Sequence, residues 1–213
     1  MSFQWIFDNA ETLSINKRPI VSQTISRDQH VRSVSRGGAV WRFTIKMPDG
    51  KRWSEVRGLI EGIDQANLLS SETVNLGKAA YNYIVGYRGA AADPTTMTFK
   101  YTAAQAASDT TKFELGSMPG SAGTVLFRAG DFVQPTGSTS VYTIVADVVK
   151  GANPTQLVKV NRGILSTPSD TAVTLKVGSA VNWTVICTSC PQWSLIAYDI
   201  VGWSGEFQFQ EVL

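Results

Sequence analysis

Leu126-Phe-Arg-Ala-Gly-Asp-Phe-Val-Gln134 sets two short apolar runs on either side of Ala-Gly-Asp. Runs this short, broken at a Gly-Asp pair, read as strand, turn, strand. The same texture continues from Ala122 to Val177 with almost no helical interruption. Alternation supports it. Met97, Phe99 and Tyr101 point one way while Thr98, Lys100 and Thr102 point the other, and Val173, Leu175 and Val177 repeat the pattern against Thr174 and Lys176. Strands are expected near 96–102, 112–116, 123–128, 131–134, 140–149, 155–161 and 171–177, spaced as in a small barrel or sandwich. The Ala103–Thr111 stretch, rich in Ala and Ser, reads as a loop or one short helix. This is a β-rich chain built to assemble, without the residue clusters of an enzyme.

Upstream, the first 86 residues read as one unit. Leu13 and Ile15, then Ile20, Val21 and Ile25, suggest two short strands around Asn16-Lys-Arg-Pro19. Trp41, Phe43 and Ile45 alternate with Arg42, Thr44 and Lys46 until the Pro48-Asp-Gly50 turn ends that strand. One helix follows, with Ser54 as its N-cap and Val56, Leu59, Ile60 and Ile63 on a single face. Gly58 and Gly62 share another face and suit close packing on the protein's own sheet. From Gly86 to Pro94 the residues turn small, as in a linker. After Gly178 aromatic residues return, with Trp183, Trp193, Trp203, Phe207 and Phe209 matching the texture of Phe3, Trp5, Phe7, Trp41 and Trp53. The chain is therefore expected to form one domain from 1–87 and 179–213, with 88–178 inserted into it.

Composition narrows the function. At 213 residues and 43% apolar content the chain can bury a core. Its net charge is only +2 and its longest basic run is Lys17-Arg18, which gives no electrostatic footprint for nucleic acid. The start, Met-Ser-Phe-Gln-Trp-Ile-Phe-Asp, lacks the basic and apolar regions of a signal peptide, and no apolar run approaches the roughly 20 residues that span a bilayer. Folding in the cytoplasm, without membrane insertion, is expected.

Catalytic candidates are few. A serine or cysteine hydrolase would need His30, the single histidine, as its base, and arginines 27, 32 and 36 around it read as a solvated surface. Asp131 with Asp147 or Glu114 could supply a glycosidase pair if about 5–9 Å apart, yet Asp after Gly is an ordinary turn residue. No phosphate-binding Gly-rich loop is present. Asn182-Trp-Thr184 fits a glycosylation sequon, a chance match in a chain without a secretion signal. Cys187 and Cys190 form a lone Cys-x-x-Cys, where a structural zinc site needs about four ligands. Val181, Trp183, Val185 and Cys187 alternate as a strand, and Thr188–Pro191 reads as a turn, so neither cysteine gains a helix N-terminus to activate it. A structural pair is expected, with no catalytic residue, metal or cofactor. The tryptophans read as core filling and subunit contacts.

Taken together, Trp41-Arg-Phe-Thr, Met47-Pro-Asp-Gly-Lys-Arg-Trp53 with its helix, Phe127-Arg-Ala-Gly-Asp-Phe-Val-Gln134 with Val141-Tyr-Thr-Ile-Val-Ala-Asp-Val148, and Phe207-Gln-Phe-Gln-Glu211 resemble the distal tail proteins of long-tailed bacteriophages. The resemblance spans nearly the whole chain. It implies a mainly β fold, in which a β-sandwich with one short helix is completed by the C-terminal strands and carries an inserted, oligonucleotide/oligosaccharide-binding-like (OB-like) barrel. It further implies a homo-hexameric ring in the virion tail tip, assembled in the host cytoplasm, that joins tail tube protein to tail hub protein and other tail-tip proteins. Two other functions stay open on the residues alone. A carbohydrate-binding barrel for a host surface saccharide would show exposed coplanar aromatics; a glycan-degrading enzyme would show paired carboxylates in a cleft.

Overall fold

The computed structural model describes residues 3–18, 21–25, 27, 31–35, 39–66, 69–77, 84 and 96–213. His30 and the linker expected at 86–94 lie outside the described residues. The fold is mainly β. In chain order the elements begin α1 (Phe3–Asp8), β1 (Thr12–Asn16), β2 (Val21–Ile25), β3 (Val31–Ser35), β4 (Arg42–Lys46), β5 (Lys51–Arg52), α2 (Trp53–Ala66) and β6 (Ser71–Asn75). Next come β7 (Thr98–Tyr101), α3 (Ala103–Ser108), β8 (Lys112–Gly116), β9 (Val125–Phe127), β10 (Phe132–Pro135), β11 (Tyr142–Thr143), β12 (Val148–Val149), β13 (Gln156–Lys159) and β14 (Ser169–Val177). The chain finishes with β15 (Asn182–Ser189), β16 (Gln192–Ala197), β17 (Ile200–Ser204) and β18 (Phe207–Glu211).

Two compact units result, residues 1–74 with 184–212, and residues 75–183 with Leu213. These divisions lie at 74/75 and 183/184, where composition suggested 87/88 and 178/179. Core packing explains both shifts. Ile84 is buried in the core of the second unit. Trp183, fully buried, meets Phe132 of the same unit edge-on, with ring centroids 5.1 Å apart.

In the first unit a five-stranded sheet runs in the order β1-β4-β18-β15-β6. The returning aromatics fill it from the middle: β18 lies between β4 and β15, and Phe209 stands opposite both Phe43 and Cys187. Helix α1, which the sequence did not reveal, lays Phe3 and Phe7 on Phe209 at 5.1 and 5.2 Å. Glu72 accepts the Phe3 backbone N–H at 2.6 Å and so satisfies one of the free amides at the start of α1. Strands β1 and β2 both exist, but they pair elsewhere, β1 with β4 and β2 with β3.

Helix α2 buries the expected face, Val56, Leu59, Ile60 and Ile63. Val56 and Ile60 pack with Val201, flanked by Trp5, Trp53 and Trp203. The helix starts at Trp53, so Ser54 sits inside the first turn and is not the N-cap; the Trp53 N–H is instead held by the Asp199 carbonyl at 2.8 Å. Gly58 also departs from expectation, because it is exposed and a Cβ there would meet nothing within 4 Å. It permits no close approach of any neighbour. Gly58→Ala should therefore stabilise the protein by about 1 kcal/mol, the helix-propensity difference, measurable as a raised denaturation midpoint. An unchanged or lowered midpoint would show that the position has a role beyond the helix.

In the second unit a six-stranded antiparallel sheet runs in the order β11-β10-β14-β7-β8-β13. Its two edge strands meet. Ile144 forms a bridge with Val160, the Asn161 N–H donates to the Thr143 carbonyl at 3.0 Å, and the Val145 N–H donates to the Lys159 carbonyl at 3.1 Å. The sheet thereby returns on itself around Phe99, Phe113, Leu115, Phe127, Tyr142 and Leu175. This ring has six strands, whereas the oligonucleotide-binding barrel has five. The stretch 140–149, read as one strand, is broken into β11 and β12, because Ile144 is drawn onto the 128–131 turn: its N–H donates to the Asp131 carbonyl and its carbonyl accepts from Gly130.

The Ala- and Ser-rich stretch supplies α3, closed by a capping box in which the Thr102 hydroxyl accepts from the Gln105 N–H and the Gln105 side chain accepts from the Thr102 N–H. Asp109 then ties α3 to β8. Its carboxylate accepts from the Thr111 hydroxyl and N–H and pairs with Lys112 at 3.0 Å, and these contacts hold its pKa well below the usual carboxylate range. A depressed carboxylate contributes stability that is fully present above its unfolded pKa and is lost as the pH falls through that range toward the depressed value. Stability should accordingly fall on acidification below about pH 4, and Asp109→Asn should flatten that part of the profile. Equal acid sensitivity in the variant would remove Asp109 from the account.

Candidate functional site

The two carboxylates nominated as a glycosidase pair do come together, on a turn. Gly130, at φ +101°, allows the chain to reverse between β9 and β10. Asp131, buried, accepts from the Arg128 N–H at 2.7 Å, and Asp147 accepts from the Ala129 N–H at 2.9 Å. Their oxygens thus satisfy adjacent amides of one loop, which is the work of turn residues. Glu114 lies on β8, opposite Lys100 and Leu157, and is not part of that turn. Asn182 of the sequon is fixed by Gln134, which accepts its N–H at 3.0 Å and donates to its carbonyl at 2.9 Å.

The second unit carries a groove of about 560 Å³ beside β7 and β14. Hydroxyls crowd its walls, among them Thr136, Ser138, Thr139, Ser140, Ser166 and Thr167, with Phe99 and Tyr101 at its floor. Burial, reinforced by Tyr142 and Asp109, raises the Tyr101 pKa above its ordinary value, so the phenol stays protonated. The lining side chains are neutral near pH 7, suited to recognising an uncharged polar molecule by hydrogen bonds. Phe99 and Tyr101 are almost fully buried, at 5% and 4% exposure, too little for an open stacking platform. No other aromatic residue of the barrel strands is largely exposed among the described residues.

The first unit presents a different surface. Strands β16, β17 and β5 form a three-stranded sheet with β16 on its edge. Along β16 and its turn, Leu195 is 53%, Ile196 64% and Tyr198 fully exposed, with Ile200 beside them at 38%. Trp193 stacks on Trp53 at 4.7 Å, which stiffens the hairpin from its own side. An apolar strand that has no second strand partner among the described residues, and no Lys or Pro along it, is a template for pairing with another chain. Sequence reasoning missed this edge, although Leu195-Ile-Ala-Tyr198 carried a signal: four residues without polar alternation in a strand that a one-sided core would have patterned.

Of the six tryptophans, Trp41 and Trp183 are core residues, Trp5, Trp53 and Trp203 are half-buried, and Trp193 lies at the exposed hairpin. Cys187 is buried on the apolar face, as alternation required, and its sulfur lies 3.2 Å from that of Cys190. Among the described residues no three His, Cys, Asp or Glu side chains are grouped as for a metal ion, and no helix is long and apolar enough to cross a membrane. The chain matches no family model and no curated protein.

Proposed function

We propose that the protein is a structural ring component of a long-tailed phage tail tip, joining the tail tube to the distal hub. The observation that carries this reading is the open apolar edge of β16. A cyclic ring uses a heterologous interface, one surface of each subunit meeting a different surface of the next, and an edge strand with Leu195 and Ile196 uncovered, followed by Tyr198 on its turn, would supply one half of such a contact. Six-fold closure, partnership with tube and hub proteins, and residence in the virion follow from the resemblance to distal tail proteins. The test is light scattering with electron microscopy of the purified protein over a range of concentrations. Six-lobed rings with an open lumen are expected; a monomer throughout, alone and with tube or hub proteins, would sink the proposal.

A second reading rests on the hydroxyl-lined groove, whose neutral polar walls suit a saccharide. Calorimetric titration with neutral oligosaccharides checks it, and saturable heat lost on replacing Thr139 with a bulky residue would favour it.

A further inference from the structure

Cys187 ends the buried alternation of β15, and Cys190 follows three residues later, just before Pro191. In an unbroken strand three residues span about 10 Å and their side chains point to opposite faces, whereas a disulfide needs Cα atoms about 4.4–6.8 Å apart. The strand is broken here. Cys187 stands opposite Phe209 but Ser189 stands opposite Gln208, so Thr188 is the extra residue of a bulge. The Thr188 hydroxyl donates to the Gln208 carbonyl at 3.2 Å and holds the bend. As a result the two sulfurs lie 3.2 Å apart, both as free thiols. They are not equivalent: Cys187 is 2% exposed, and Cys190 is partly open to solvent.

We propose that Cys187 and Cys190 are a disulfide-forming pair, with Cys190 as the outer thiol that meets a small-molecule disulfide and Cys187 as the inner thiol that completes the bond. Cys190 loses its proton and attacks one sulfur of oxidised glutathione, forming a mixed disulfide and expelling one glutathione thiolate. Cys187 then loses its proton, attacks the Cys190 sulfur, and expels the second. Two protein thiols are oxidised, one glutathione disulfide is reduced to two thiols, and the two protons pass to the departing thiolates. Neither cysteine sits at a helix N-terminus, and hydrogen bonding to Cys190 together with burial raises the Cys187 pKa, so the exchange is slow. The bond would join the end of β15 to the residue two before β16, closing the turn that leads into the exposed edge. It is a property of the turn alone and does not depend on the ring.

The test exposes the native protein to oxidised glutathione, quenches with acid, alkylates free thiols with iodoacetamide and reads intact mass and tryptic fragments. Wild type is expected to lose two hydrogens, resist alkylation and yield a fragment linked through Cys187 and Cys190. Cys187→Ser should accumulate one glutathionyl group on Cys190, and Cys190→Ser should react at least about tenfold more slowly, because its remaining thiol is buried. A wild type that remains a dithiol, keeps a stable glutathionyl adduct or links between chains would overturn the proposal. Equal reaction of the two single variants would overturn the assigned order. The wild-type arm decides the bond even where a variant fails to fold.

Discussion

Trp183→Ala is expected to lower stability by about 3–5 kcal/mol, the range for deleting a large buried aromatic. Trp183 is wholly buried and meets Phe132 edge-on at an interplanar angle of 86°, so alanine would remove its dispersion contacts and leave a cavity that the barrel wall cannot collapse to fill. The neighbouring Gln134 bonds to Asn182 fix the backbone at that point and limit relaxation. Trp183→Phe retains part of the contact and should lose less than half as much. Denaturant unfolding followed by far-ultraviolet circular dichroism measures both. A loss below about 1 kcal/mol, the average for any substitution, would show that the ring is not the anchor its burial implies.

Leu195→Lys should weaken assembly by at least about tenfold while leaving the fold intact. Lysine is a residue that natural edge strands use to refuse a partner; on β16 its charge would have to be stripped of water inside any strand-to-strand contact. Because Leu195 is 53% exposed in the single chain, its replacement removes little from the core. Leu157→Lys is the matched control, an equally exposed leucine at 57% on β13, and it should leave assembly unchanged. Light scattering across a concentration series separates the cases. Identical assembly by Leu195→Lys and wild type would move the interface away from β16.

What the sequence made legible was periodic. Alternation identified the buried faces of β4, β7, β14 and β15, and helical spacing identified the inner face of α2. Aromatic texture linked the two ends of the first unit, because rings that share a core need one another's surface. Pairing was not legible. Nothing within β1 says that its partner is β4, and nothing at Ile144 announces that the barrel edges meet there, since both are contacts between distant segments. Helix α1 escaped because six residues hold fewer than two turns and Phe-Gln-Trp-Ile-Phe fits either period. At the candidate sites, the turn chemistry of Gly130-Asp131 was readable, but the bulge at Thr188 was not, because a bulge is defined by two strands and a sequence shows one.

The position of β18 has a consequence for synthesis. The strand that fills the middle of the five-stranded sheet is made after every other strand of that sheet, so β4 and β15 each wait with one side unpaired until it arrives. The second unit, by contrast, is continuous from residue 75 to 183 but for Leu213, and has all its strands earlier. Domains fold as units during translation, which makes the barrel the first unit able to fold, while the sheet of the other still lacks its central strand. Until Phe207–Glu211 has emerged, the sheet of the first unit keeps a central gap between β4 and β15 that is shaped for one strand, β18 of its own chain.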